Sequence, residues 1–110
     1  MTFAYTVRTT LPRGEVFAAW VRWLGAEHVA LVCEAGAQGA EIVVLDEAPS
    51  GPLQSVEVRY RFASREAFAT YEREHAPRLR ADGLAELARL GVAPDGTTFA
   101  RWTGEVVATR

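Results

Sequence analysis

The chain has 110 residues, 49% of them hydrophobic and 24% charged, with a formal net charge of −2. That length supports one small domain, which buries about 65% of the surface its unfolded chain exposes and needs no disulfide or metal staple. The composition excludes a disordered chain, a collagen and a disulfide scaffold, and the acidic balance argues against a nucleic-acid partner. All 12 basic residues are arginine, the bias of a genome rich in G and C. Every cation is therefore permanent, and no lysine is present for a Schiff base or a general base. Cys33 is the only cysteine, which excludes an internal disulfide and a cysteine zinc cluster. The start of the chain lacks the basic residues and long apolar run of a signal peptide. The longest apolar stretch, Val29 to Cys33, is too short to span a bilayer. A cytoplasmic location and no membrane partner are expected.

Phe3 to Thr10 alternates as a strand, and Leu11-Pro12-Arg13-Gly14 is expected to break it. Val16, Phe17, Trp20, Trp23 and Leu24 then recur at helical spacing. Gly25 is expected to interrupt that helix, with a short second piece from His28 to Glu34. Ala40 to Asp46 reads as a strand that is apolar on both sides. The Ala48-Pro49-Ser50-Gly51-Pro52 turn joins it to a cleanly alternating strand, Ser55 to Phe62, as a hairpin. Ser64 is placed to cap the next helix, whose inward stripe holds Phe68, Tyr71 and His75. Pro77 lacks a backbone donor and disfavours helix at Ala76, so a break or sharp kink is predicted there, with Pro77 opening a new helix. Leu79, Leu84, Leu87 and Leu90 form the next stripe, and Thr97 to Ala108 the last strand.

The order β-α-β-β-α-β predicts an α+β ferredoxin-like domain over residues 1–110, a four-stranded antiparallel sheet with helices on one face. Val56, Val58, Tyr60 and Phe62 are expected to face the helices. The open face is expected to carry Arg8, Arg59, Arg61, Arg101, Glu41, Glu57 and Glu105 beside Val43 and Leu45. Stacking of RNA bases requires aromatics on the central strands, where Thr6, Arg8, Glu57, Arg59 and Arg61 stand instead. Alternating Arg and Glu suit cross-strand or cross-subunit ion pairs. A homodimer through this face is expected, with a solvated face as the alternative.

Several residues together carry a resemblance. Tyr5-x-Val7, Trp20-x-x-Trp23-Leu24, His28-Val29, Val58-Arg59-Tyr60 and Ser64 are followed by Tyr71 and Ala76-Pro77-x-Leu79-Arg80-x-x-Gly83. Across residues 3–83 this pattern resembles a bacterial domain-of-unknown-function family, itself similar to the dimeric α/β-barrel superfamily. The sequence departs from it at Ala30, where that family tends to have proline, and after Gly83. The resemblance implies the ferredoxin-like fold and dimerisation, and it assigns no activity.

His28 and His75 are the side chains that titrate near neutrality. Neither has a second ligand at metal spacing, so no metal and no cofactor are expected. His28 reads as a helix C-terminal cap. Tyr71, His75 and Arg80 are the candidate ligand-binding residues: a bend at Pro77 can bring them to the mouth of a helix–sheet cleft, with Arg80 matching a small organic acid. The competing reading makes Tyr71 and His75 packing residues and pairs Arg80 with Asp82 or Glu86. No nucleophile motif, phosphate loop or dinucleotide fingerprint occurs. The leading functional reading is a small dimeric protein that binds a small molecule or serves as an accessory module without catalysis. The alternative is a cofactor-independent oxygenase-like enzyme of the dimeric α/β-barrel kind, acting on an aromatic or polyketide-like substrate.

Overall fold

A computed structural model describes residues 2–46 and 51–110. Part of the expected turn from Ala48 to Pro52 lies outside them. The chain runs β1 (Phe3–Pro12), α1 (Glu15–Trp23), α2 (Val29–Glu34), β2 (Gly39–Val44), β3 (Leu53–Phe62), α3 (Arg65–Glu74), α4 (Ala76–Arg89) and β4 (Thr98–Glu105). The sheet is four-stranded, ordered β2-β3-β1-β4, and each neighbouring pair is antiparallel. Helices cover one face, which is the ferredoxin-like arrangement.

Alternation sets the two faces. Phe3, Tyr5, Thr9 and Leu11 of β1 and Val56, Val58, Tyr60 and Phe62 of β3 are buried beneath the helices. Phe68 of α3 closes one end of this core, with ring centroids 4.7 Å from Tyr5, 5.2 Å from Phe62 and 5.3 Å from Phe3. The Ser64 hydroxyl accepts from the Ala67 amide and starts α3. The helix stops at His75, whose φ of −128° leaves the helical region, and Pro77 occupies the first turn of α4. The break expected around Pro77 is present. Leu79, Gly83 and Leu87 form the buried side of α4.

Four sequence expectations differ from the structure. Leu11 does not end β1: it is fully buried and paired with Gln54, and the strand continues to Pro12 at the sheet's end. Gly25 does not interrupt the first helix. A π-helical turn, Leu24–His28, joins α1 to α2, with Val29 N–H donating to Leu24 O, and the rod runs unbroken from Glu15 to Glu34. By length and mean hydropathy that rod also suits a membrane span, yet Phe17, Trp20, Leu24 and Val32 bury its apolar stripe in the core. The third correction concerns the phase of β4. Phe99 pairs with Thr9 and Arg101 with Val7, so Phe99 and Arg101 share the helix side. Trp102 pairs with Thr6 and takes the open face, 46% exposed. Leu84, expected in the α4 stripe, is exposed.

The open face is organised by Glu57. Its carboxylate accepts from Arg8 (2.7 Å) and Arg59 (2.9 Å), and Arg59 also lies 3.9 Å from Glu41. Arg8 in turn sits over the Trp102 ring at 5.4 Å. Glu57 is covered mainly by guanidinium groups that remain partly exposed themselves. Burial opposes its charge, but the two arginine hydrogen bonds outweigh this and hold its carboxyl below the usual range. The resulting stability is full above the unfolded carboxyl range and is lost as pH falls through the lowered folded value. Glu57→Gln should therefore cost about 1 kcal/mol near neutral pH. In urea titrations the gap from wild type should narrow below the unfolded carboxyl range and close below the lowered folded value.

Candidate functional site

Between the helices and the sheet lies a cavity of about 250 Å³. Val7 and Thr9 of β1 and Val58 of β3 form its floor. Trp20, Leu24 and His28 form one wall; Leu79, Arg80, Gly83 and Leu84 of α4 form the other. Tyr5, Tyr60 and Tyr71 close one end, and Phe99 and Arg101 of β4 line the edge.

The π turn explains the position of His28. At about 100° per residue, His28 of a regular helix sits about 80° around from Trp20. The wider i→i+5 turn removes part of that rotation, so Trp20, Leu24 and His28 line one cavity. The imidazole stacks on Trp23 at 4.9 Å, and Trp23 stacks on Trp20 at 5.1 Å. Burial favours neutral imidazole and lowers the His28 pKa, with Asp82 opposing more weakly.

Arg80 comes from the second turn of α4. Its Nη2 donates to Glu72 at 2.6 Å and makes a long contact of 3.4 Å to the Tyr5 hydroxyl. Burial opposes its charge, but the contacts to Tyr5 and Glu72 outweigh this and raise its pKa. Its ion-pair partner is Glu72, not Asp82 or Glu86. Burial is also the main cause that pushes the Tyr71 phenol up to about 12, so Tyr71 keeps its proton at neutral pH. Of the three residues singled out by sequence, Tyr71 and Arg80 line the cavity. His75 does not: it stands at the α3–α4 break, its Nδ1 3.2 Å from an Arg78 guanidinium nitrogen.

The cavity is polar in one sense only. Among the described residues, Arg80 and Arg101 line it and no carboxylate does. Among the described residues, four buried side-chain polar atoms lack a partner: Trp20 Nε1, His28 Nδ1, Arg80 Nε and Thr97 Oγ1. The first three belong to cavity-lining residues. Unpaired buried polar atoms are uncommon and costly, and three of the four belong to residues around this one space. A larger surface groove along Trp23, Glu27, Leu31, Asp82 and Arg89 has no such atom. Among the described residues, no cluster of three or more His, Cys, Asp or Glu side chains is placed to hold a metal.

Gly83 is buried in the middle of α4, where glycine costs about 1 kcal/mol relative to alanine. Steric need does not explain it, since an added Cβ would meet Trp20 at an ordinary 3.7 Å. Its absent side chain leaves the cavity open. Gly83→Ala should raise stability to chemical denaturation by about 0.5–1 kcal/mol. An unchanged or lowered midpoint would show that the backbone there needs glycine.

No protein-family model matches this sequence, and no curated protein matches it. Solved structures do. A dimeric ferredoxin-like protein from an uncultured marine organism has a TM-score of 0.69 at 13% identity, over 99% of this chain and 98% of its own. A candidate antibiotic biosynthesis monooxygenase from Bacillus cereus has 0.63 at 18%, over 99% and 96%. SnoaB, a cofactor-independent oxygenase from Streptomyces nogalater, has 0.54 at 14%, over 99% and 97%. The chain thus shares the ferredoxin-like fold of these proteins.

Proposed function

We propose that this chain forms a homodimer whose helix–sheet cavity binds a small organic acid, without a catalytic role. The observation that carries the reading is the set of unpaired polar atoms around a largely apolar space that, among the described residues, two arginines line and no carboxylate does. Arg80 supplies the counter-charge, and Tyr71 offers a protonated phenol beside it. In this reading the segment from Tyr71 to Gly83 serves the site, contributing Tyr71, Leu79, Arg80 and Gly83 to its walls. His28 takes the place first considered for His75. One observation favours the second reading, a cofactor-independent oxygenase-like enzyme: burial favours neutral His28, the protonation state a proton-abstracting base requires. Oxygen uptake on addition of a bound acid would establish that reading instead.

Dimerisation through the open face is supported by its self-complementary Arg and Glu rows, by exposed Trp102 and by the dimeric state of the marine ferredoxin-like protein. Sedimentation should give twice the 12.0 kDa chain mass. Arg59→Ala should weaken the dimer more than Arg73→Ala, which lies on the exposed side of α3. A monomer at all concentrations would contradict this.

The binding claim is tested by thermal-shift screening of aromatic acids followed by calorimetry. Arg80→Ala should weaken the best acid by about ten- to a hundredfold, the worth of a charge-assisted hydrogen bond. Equal affinity in a folded Arg80→Ala protein would refute the assignment.

A further inference from the structure

We propose that the cavity selects a single-ring acid bearing a second hydrogen-bond acceptor, such as an aryl 2-oxo acid, with Arg80 Nε holding the carboxylate and Trp20 Nε1 the second oxygen. The inference rests on the binding reading above and narrows it.

Size sets the first limit. An apolar cavity of about 150 Å³ takes benzene, and sites for drug-sized ligands begin near about 300 Å³. At about 250 Å³ this cavity accommodates one ring with a short polar substituent.

Donor chemistry sets the second. Indole Nε1 and guanidinium Nε can only donate, and Trp20 Nε1 and Arg80 Nε are both buried without a partner. Trp20 is only 2% exposed, so solvent does not serve its N–H. Arg80 already gives Nη2 to Glu72, which leaves Nε for the ligand. Tyr71, kept protonated, adds a donor. His28 Nδ1, the third orphan, can accept or donate according to tautomer. A carboxylate held on Arg80 Nε with an adjacent keto oxygen on the indole N–H gives each donor its own acceptor.

The probes are benzoylformate and phenylacetate, which share charge and ring and differ in the keto oxygen. Benzoylformate should bind about three- to tenfold more tightly, the worth of one neutral hydrogen bond. In Trp20→Phe that preference should fall to parity while phenylacetate affinity changes little. A second readout avoids any substitution of the buried residue. The Trp20 indole N–H resonance, assigned by elimination using Trp23→Phe and Trp102→Phe, should move with benzoylformate and stay with phenylacetate. Equal affinity for the two acids, or an unmoved Trp20 resonance, overturns the proposal and leaves ordered water as the partner of these donors. Absence of binding by every acid tried overturns the binding reading along with it.

Discussion

Side-chain size along the inner face of the sheet governs what the helices can fill. From Phe3 and Tyr5, β1 passes to Val7 and Thr9 before Leu11 restores bulk. Phe62 and Tyr60 of β3 give way to Val58 at the same level. The large rings meet Phe68 and Tyr71 and pack without a gap of comparable size. Where the small side chains lie, the cavity opens between the sheet, Trp20 and the Gly83 side of α4. Protein interiors are close-packed, so the small side chains Val7, Thr9, Val58 and Gly83 around this volume leave room that larger ones would reduce.

The sheet's two faces use arginine differently. On the open face Glu57 pairs with Arg8 and Arg59, charges are matched, and Trp102 adds an apolar element. Inside, Arg80 is fixed by Glu72 from outside the cavity while its Nε stays unpaired. A cation held this way pays its ordering entropy before any ligand arrives, which favours binding through preorganisation. The break at His75 makes this possible: it ends α3 after Tyr71 and Glu72 and starts α4 in time for Arg80 to turn back toward both.

Much of the fold was legible because clean signals coincide: alternation in β3, the Ser64 cap and Pro77. The errors occurred where signals were degenerate. In β4, Phe99 and Trp102 stand on opposite faces and Ala100 and Gly104 give no weight to either, so alternation could not fix the phase. Alternation alone therefore puts Arg101 on the open face, whereas its pairing with Val7 puts it in the cavity lining. At Gly25, helix propensity suggested an interruption, whereas burial of Leu24 and Val32 kept the rod continuous through a π turn. Trp20, Leu24 and His28 are spaced by four residues, which was the available signal for His28. His75 neighbours Pro77 in sequence, but the histidine that lines the cavity is His28.

The central claim is that the space between Trp20, Gly83 and Arg80 is the binding site. Amide and indole chemical-shift mapping of the isotope-labelled chain titrated with benzoate tests it most directly. The account predicts shifts concentrated at Trp20, His28, Tyr71, Arg80 and Gly83, with Glu57 and Trp102 on the open face unmoved. Saturable shifts centred on the open face, with the cavity residues silent, would contradict it.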